Sequence, residues 1–440
     1  MEGRKGRCRT RSSVPPRPPG RRRRPRGVCG DGACHGGPRP LRLPLDPHDR
    51  IRPGPGPPRG GAPRHRSGGM GHVAAVAPGH RIPVVSDLDE RPRHRGAPLR
   101  LVPPLLESPG VASVSRQGRG RGVGRAGLLV GGALLLGGAL AITSAYRSTL
   151  QADRARVEGR ATILSSPWGD LEYLVGGTGG PWVLLVHGAG GGYDLGELMA
   201  EILLGDGFRW VAPSRFGYLG SAVPEGATPD TQADAYAWLL DALDIPEVAV
   251  VALSAGGASG LLFALRYPER VTSLTLVSAG VTRVGSPEQA DADWKGRMLV
   301  RLFSLDFPYW AVTTLFEGRF MELMGADREV ARGLTPEEGE WVGRLMESMR
   351  PASLRSRGAQ FDNLAPLPGD RIAGIRAPTL IIHAEDDRLQ LFENARFAEA
   401  TIPAARLLRF ERGGHLVAIT EQPAVREAVR QHIMDQEEDR

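Results

Sequence analysis

One serine hydroxyl stands at the end of an apolar run, where it could act as a nucleophile. The stretch Glu247–Gly257 reads E-V-A-V-V-A-L-S-A-G-G, so Ser254 has small residues on both sides. A buried strand that turns sharply into a helix needs such small residues, and the turn exposes the hydroxyl above the sheet as a nucleophile elbow. The usual G-x-S-x-G of that turn is here A-L-S-A-G, with Ala252 in place of the first glycine.

Two later residues have the types that would activate this hydroxyl. A serine is a poor nucleophile at neutral pH unless an imidazole takes its proton and a carboxylate orients the imidazole. Asp387 ends the stretch A-P-T-L-I-I-H-A-E-D-D, and His415 lies in F-E-R-G-G-H-L-V. Asp386 remains an alternative acid, and an ordinary buried serine remains an alternative reading of Ser254. His187 and His383 are interpreted as structural or site-lining groups, and His432 as a surface or core group.

A glycine-rich loop supplies the remaining chemistry. His187–Gly192 reads H-G-A-G-G-G and directly follows the apolar stretch Trp182–Val186. Glycines let backbone N–H groups point at a developing oxyanion, and the predicted donors are the N–H groups of Ala189 and Ala255. A phosphate-binding loop is the competing interpretation, but no Lys-Ser/Thr pair follows the glycines.

The elements that must position these residues alternate between strands and helices. Such alternation predicts a mainly parallel sheet covered by helices on both faces, with the candidate residues after the carboxyl ends of strands. The stretch 281–370 interrupts the pattern, since it is mostly helical and rich in large apolar side chains; it predicts a helical cap over the site. The predicted strands are 161–166, 171–175, 182–186, 209–212, 247–253, 271–277, 379–383 and 406–410, and the main predicted helices are 195–204, 229–243, 255–267, 392–400 and 424–434.

The positive charge of the chain lies almost entirely in its first part. Residues 1–125 contain 27 Lys/Arg and 8 Asp/Glu, a balance of +19, whereas the remaining residues carry a balance of −12. Residues 1–118 are rich in Arg, Pro and Gly without sustained hydrophobic periodicity, which predicts disorder. An RNA-binding or membrane-surface tail is one interpretation, and an over-long gene prediction, with the true start at Met70 or near Val123, is the preferred one.

All three cysteines lie within the first 35 residues: Cys8, Cys29 and Cys34. The remaining chain therefore has no thiolate for a disulfide, a metal site or a nucleophile. Cys29, Cys34 and His35 resemble half of a metal site, but no second ligand pair follows. The sequence implies no metal and no organic cofactor.

An uncharged stretch of about 21 residues, Ala126–Tyr146, is long enough to cross a bilayer. Arginines precede it, so the positive-inside bias predicts a cytoplasmic N-terminus and an extracytoplasmic C-terminal domain. A signal peptide, cleaved to give a secreted protein, and a buried core helix are the alternatives. The polar stretch Gln151–Arg160 that follows is predicted to be a linker.

Residues 161–437 resemble the α/β-hydrolase superfamily, in particular bacterial serine hydrolases with a helical cap. Five matches in order carry the resemblance: V-L-L-V-H-G-A-G-G, A-P-S-R-F-G-Y-L-G-S, A-L-S-A-G-G, P-T-L-I-I-H-A-E-D-D and G-G-H. The resemblance implies Ser254 as nucleophile, Asp387 as acid and His415 as base. It favours Asp387 over Asp386, because the family usually places the acid four residues after the histidine that ends the strand, here His383.

The expected function is hydrolysis by a serine enzyme, most simply a carboxylesterase acting on a small apolar ester. A serine nucleophile argues against dehalogenases and epoxide hydrolases of this fold, which use aspartate. Hydrolysis of a carbon–carbon bond, an amide or a lactone by the same triad remains open, as does a non-catalytic binding protein. The expected partners are a small-molecule substrate and, through residues 126–146, a membrane; no nucleic acid is expected, although a membrane-tethered RNA-binding protein is the competing class.

Overall fold

A computed structural model of the protein describes residues 120–438, with side chains from residue 127 onward. The predicted disordered tail over residues 1–118 lies outside the described residues, and so do the three cysteines. Within the described chain, a single mixed sheet organises the fold.

The sheet has eight strands in the described residues, in the order β1-β2-β4-β3-β5-β6-β7-β8. The first two strands form an antiparallel hairpin, and β2 also pairs antiparallel with β4. The remaining neighbours pair in parallel, which confirms the mainly parallel sheet predicted from sequence. The strands are β1 (Thr162–Ser166), β2 (Gly169–Gly177), β3 (Trp182–Val186), β4 (Arg209–Pro213), β5 (Val248–Leu253), β6 (Val271–Val277), β7 (Thr379–Ala384) and β8 (Ala405–Phe410).

Helices cover both faces of this sheet. Strands β6 and β7 are buried along their whole length, as expected for continuous apolar strands with helices on each side. Within the described residues, two large groups of buried apolar side chains and a smaller third group accordingly form the core. The helices are α1 (Gly120–Val157), α2 (Tyr193–Met199), α3 (Pro229–Ala242), α4 (Gly257–Arg266), α5 (Pro287–Leu302), α6 (Asp306–Leu315), α7 (Glu317–Leu323), α8 (Arg328–Gly333), α9 (Pro336–Ser348), α10 (Ser356–Leu364), α11 (Glu393–Thr401), α12 (Val417–Thr420) and α13 (Gln422–Glu438).

Local sequence explains where several helices begin and end. Thr228 caps α3 by accepting from the N–H of Thr231, and proline occupies the first helical position, where its missing N–H costs nothing. The predicted helix 195–204 is regular only as far as Met199, because Ala200–Leu204 winds as a π-helix.

Six helices, α5–α10, lie between β6 and β7, and we call them the cap. They fall within the predicted insertion 281–370. Two of them, α5 and α9, begin at a Ser or Thr cap followed by proline, so each helix has its own sequence-encoded start.

Helix α1 is the one helix in the described residues that is long and apolar enough to cross a membrane. Its candidate span runs over residues 127–157, with a mean hydropathy of 2.0 in the most apolar window and none of that window buried. The prediction of a linker over Gln151–Arg160 is wrong as far as Val157, because the helix continues to that residue. Asp153 and Val157 are buried against the folded domain, and this packing holds the polar end of α1 in helical form.

Candidate active site

Ser254 lies where β5 turns into α4. It is the first residue of a 3₁₀ turn, Ser254–Gly256, and its φ is +52°. A non-glycine residue in this left-handed region is strained, and such strain is typical of a nucleophile on a strand-to-helix elbow. The turn leaves the serine near the carboxyl edge of the sheet, 7% exposed.

The alanine that replaces the first elbow glycine is accommodated by a glycine elsewhere. Ala252 is fully buried in β5, and a Cβ added at Gly260 of α4 would lie 2.7 Å from the Ala252 Cβ. Non-bonded carbon atoms essentially never approach each other so closely. The elbow therefore tolerates Ala252 because position 260 has no side chain.

Three loops bring the predicted nucleophile, base and acid together. The Oγ of Ser254 lies 2.9 Å from Nε2 of His415, whose Nδ1 lies 2.8 Å from Oδ2 of Asp387. A carboxylate only accepts, so Nδ1 donates to Asp387 and Nε2 is left to accept the serine proton. All three side chains are buried, so water competes little for these hydrogen bonds.

Asp387 is held as a carboxylate by its surroundings. Its Oδ1 accepts from the backbone N–H groups of Leu389 and Gln390, and Oδ2 also lies 3.5 Å from Nε2 of His383. Burial alone would raise its pKa, but the imidazoles of His415 and His383 outweigh burial and lower the pKa well below its usual range. The carboxylate is thus ionised at neutral pH.

Asp386 has a different position from its neighbour. Its Oδ1 accepts from the N–H of Gly414 at 2.7 Å, one residue before His415, and its Oδ2 lies 3.5 Å from Nε of Arg412. The structure thus brings Asp387 to the imidazole, while Asp386 fixes the loop that carries the imidazole.

His187 anchors the glycine-rich loop after β3 and does not contact Ser254 through its ring. Its Nδ1 lies 2.7 Å from the carbonyl oxygen of Gly188, and its Nε2 lies 3.0 Å from the N–H of Arg215. Nδ1 therefore carries the proton, since a carbonyl accepts and an N–H donates. Burial, together with the Arg215 charge, lowers the pKa of His187 well below its usual value, so the ring is neutral.

The backbone of this loop lies against the elbow. A Cβ added at Gly188 would lie 3.1 Å from the Cβ of Ser254, and Ala189 and Ala255 line the same cavity as Ser254. Gly190 has a φ of +76°, and a Cβ there would lie 2.3 Å from the ring of Phe303 in the cap. Only glycine fits this position, because the backbone is left-handed and the cap packs directly on it.

The two other histidines among the described residues have structural contacts. His383, at the end of β7, donates from Nε2 to the carbonyl oxygen of Gln390 at 2.7 Å, and it is 1% exposed. His432 is buried on α13, where Nε2 donates to the carbonyl oxygen of Leu274 at 3.2 Å. Burial lowers the pKa of His432, so this ring belongs to the core rather than to the surface.

A cavity of about 150 Å³ lies between the elbow and the cap. Its charged side chains are paired: Arg215 with Asp362, at 2.6 Å, and Arg283 with Asp293, at 2.7 Å. Among the described residues that line it, the formal charges cancel. Its apolar wall includes Ala258, Leu299, Val300, Phe303, Phe361 and Leu389.

Comparison with known proteins places this fold and site in a family. A family model described as "alpha/beta hydrolase fold" matches residues 181–422, more than half of the chain. The protein belongs to the α/β-hydrolase family. This confirms the resemblance inferred from the five ordered motifs.

Three curated relatives are hydrolases. An uncharacterised hydrolase of Bacillus subtilis is 30% identical over 60% of this chain and 95% of its own length. A 2-hydroxy-6-oxo-2,4-heptadienoate hydrolase of Pseudomonas putida is 30% identical over 55% of this chain and 85% of its own. A pimeloyl-[acyl-carrier protein] methyl ester esterase of Aromatoleum aromaticum is 31% identical over 53% and 91%. The protein is accordingly an enzyme of the hydrolase type.

Sequence reasoning missed a network of charges behind the glycine loop of this α/β-hydrolase. Arg355 is fully buried and donates to the carbonyl oxygen of Gly191 at 2.7 Å and to both carboxylate oxygens of Asp194. Burial would raise the pKa of Asp194, but Arg355 and Arg156 outweigh it and lower that pKa. The separation of Asp194 and Arg355 by 161 residues leaves no local signal from which the pair could be predicted.

A second missed cluster joins the cap to the loop after β4. Arg215 makes a two-pronged ion pair with Asp362 at 2.6 Å, and the Tyr218 hydroxyl donates to the same carboxylate. Arg215 and Tyr218 lie in the motif A-P-S-R-F-G-Y-L-G-S, so part of the signal is local. Their partner lies about 150 residues further on, in a helix whose packing the motif does not indicate.

Proposed function

We propose that the protein is a serine hydrolase, most specifically a carboxylesterase, that acts on a small, largely apolar ester. Ser254 is the nucleophile, His415 the general base and Asp387 the acid that orients the base. The observation that carries the proposal is the continuous chain of hydrogen bonds from the Ser254 hydroxyl through both ring nitrogens of His415 to Asp387.

The proposed reaction proceeds through an acyl-enzyme. Nε2 of His415 takes the Ser254 proton as Oγ bonds to the ester carbonyl carbon, and Asp387 stabilises the imidazolium. The N–H groups of Ala189 and Ala255 stabilise the oxyanion. As the tetrahedral intermediate collapses, the ester C–O bond breaks and the imidazolium gives its proton to the departing alcohol. Water, deprotonated by the same imidazole, then releases the acid and restores the serine.

The cavity favours a small neutral substrate. Its volume of about 150 Å³ is below the usual range for drug-sized ligands, roughly 300–1,000 Å³. Because each arginine that lines it has an aspartate partner, the cavity offers no uncompensated positive charge to an anionic substrate. An uncharged ester with short acyl and alcohol groups matches these properties.

A carbon–carbon bond hydrolase is the second candidate, and the Pseudomonas putida relative favours it, since that protein is named for a dienoate substrate. Such a substrate carries a carboxylate, for which the paired arginines provide no free partner. We therefore expect kcat/KM for short-chain p-nitrophenyl esters to exceed that for an anionic 2-hydroxy-6-oxodienoate. The opposite order would assign the carbon–carbon reaction instead.

The proposed location of the enzyme follows from α1. A single apolar helix ahead of the catalytic domain acts as an anchor, with the domain on the extracytoplasmic side, or as a signal segment whose removal releases a secreted enzyme. The partners in this proposal are the small ester and the membrane around α1.

The decisive experiment replaces the nucleophile. Ser254→Ala should lower kcat for p-nitrophenyl acetate or butyrate by at least about 10⁴-fold and abolish labelling by a fluorophosphonate probe, because removal of a triad serine leaves only the residual effect of binding and the oxyanion donors. The melting temperature should stay close to that of the wild type. Ser273→Ala is the matched control, since Ser273 is buried in the neighbouring strand β6 without touching the triad. Ester turnover retained in Ser254→Ala would refute the assignment.

A further inference from the structure

We infer that one face of the cap rests in the headgroup region of the same membrane that α1 crosses. The face consists of the outward side of α6 and its two flanking residues, and we call it the α6 face: Leu305, Phe307, Ala311, Leu315 and Phe316. The inference concerns docking of the enzyme on lipid. It rests on the proposal that α1 stays in the membrane and does not depend on which bond the enzyme cleaves.

The α6 face is apolar and open to solvent in the isolated chain. Leu305 is 61% exposed, Phe307 47%, Leu315 57% and Phe316 58%. Within α6, Phe307 and Leu315 are eight residues apart and lie on one side of the helix. The run from Phe307 to Phe316 holds no charged residue. Large apolar side chains that are exposed together on one short segment indicate an interaction site.

The position of α6 relative to α1 indicates which partner covers this face. The ring of Tyr146 on α1 lies 5.2 Å from that of Phe307 and 5.6 Å from that of Trp310, centroid to centroid. Tyr146 is the last residue of the uncharged stretch that begins at Ala126, and Arg147 follows it. The α6 face therefore starts at the level where α1 changes from apolar to charged.

Helix geometry puts that level at the surface of the bilayer. From Leu128 to Tyr146 an α-helix rises about 27 Å, close to the roughly 30 Å thickness of the hydrocarbon core. Tyrosine and tryptophan are enriched where hydrocarbon meets the headgroups, because an apolar ring with a polar edge suits both. Tyr146, Trp310 and Phe307 form such an aromatic cluster, and it joins the exposed apolar side of α1 to the α6 face.

A depth measurement on the full-length chain tests the inference. The chain, with Cys8, Cys29 and Cys34 changed to Ser, receives a single cysteine by Leu315→Cys and is labelled with a nitrobenzoxadiazole fluorophore. It is reconstituted in 3:1 phosphatidylcholine/phosphatidylglycerol vesicles that contain a lipid spin-labelled near the headgroup. The matched control is Glu269→Cys, an exposed position at the amino end of β6, on the opposite edge of the sheet from the cap.

The expected result is quenching of the probe at position 315 at least about threefold stronger than at position 269, with a blue-shifted emission at 315, because the α6 face lies among headgroups. Equal, weak quenching at both positions would overturn the inference, as would failure of the chain to float with the vesicles. Shielding at position 315 without lipid quenching, together with cross-links between two copies formed by a thiol-directed reagent at that position, would assign the face to a second copy and also overturn it. Ester turnover plays no part in the readout, so the catalytic proposal stands or falls separately.

Discussion

His187 holds the glycine loop of the site through both ring nitrogens, and it can do so only when the ring is neutral. Nε2 must accept from the N–H of Arg215, and a protonated ring has no acceptor left. The same loop carries Ala189, the proposed oxyanion donor, two residues after His187. The motif H-G-A-G-G-G indicated that His187 belongs to the glycine loop. It did not indicate the partner Arg215, because that contact joins the ends of two strands that are adjacent only in the folded sheet.

The lowered pKa of His187 predicts a pH effect on stability. Below about pH 6.5 the His187 ring binds a proton in the unfolded chain but stays neutral in the folded chain. The free energy of unfolding therefore falls as pH decreases through that value. For a single ring this loss amounts to about 1 kcal/mol between pH 7.5 and pH 5.5. In His187→Asn the decrease should be smaller by that amount, measured by urea unfolding in detergent at the two pH values. An identical decrease in variant and wild type would show that the ring takes up a proton as readily in the folded chain as in the unfolded chain, and would contradict the lowered pKa.

At the scale of elements, the elbow depends on how closely α4 approaches β5. The alternation of apolar strands and helices is visible in the sequence, and it sufficed to predict the mainly parallel sheet and the place of the cap. The close approach of Gly260 to Ala252 was not predictable, because glycine inside a helix has no local signature that distinguishes a packing contact from chance. The departure from G-x-S-x-G is thus explained only by the tertiary contact.

A double-mutant cycle tests this packing. Gly260→Ala should destabilise the fold by about 1–3 kcal/mol and lower kcat, because the new methyl group pushes α4 away from β5 and shifts Ser254. Adding Ala252→Gly should restore most of both losses, since it removes the other methyl group. Urea unfolding and ester turnover of the two single variants and the double variant measure the coupling. Additive effects, with no rescue, would contradict the proposed contact.

At the scale of the whole molecule, α1 contains the candidate membrane span, and its polar end packs against the folded domain. Arg156 donates to Asp194 at 2.6 Å and to two carbonyl oxygens of the cap, while Asp153 pairs with Arg350 at 3.0 Å. The Tyr193 hydroxyl donates to the carbonyl oxygen of Val157. The polar composition of Gln151–Arg160 predicted a linker. That prediction is wrong because Asp153 and Arg156 form ion pairs with residues of opposite charge that lie far away in the chain.

Two arginines at this junction give a matched comparison. Arg156→Ala should lower the free energy of unfolding of the full chain by about 1–3 kcal/mol, because it removes the ion pair of Arg156 with the buried Asp194 and its hydrogen bonds to two carbonyl oxygens of the cap. Arg160→Ala should cost at most about 1 kcal/mol, since its pair with Glu197 is largely exposed. Thermal unfolding in detergent, followed by circular dichroism, compares them. Equal losses would mean that α1 does not dock on the domain as described.

Helix α10 and the turn before it are tied to the loop after β4. The N–H of Gly358 donates to the carbonyl oxygen of Gly217 at 2.9 Å, and the N–H of Leu219 donates to the carbonyl oxygen of Leu354 at 2.8 Å. The buried ion pair of Arg215 with Asp362 joins the same two segments. Helix α10, which forms one wall of the cavity, is therefore held to the loop after β4 by main-chain hydrogen bonds and by an ion pair. We expect α5, which also lines the cavity, to move instead, so that the products of the proposed reaction depart beside it.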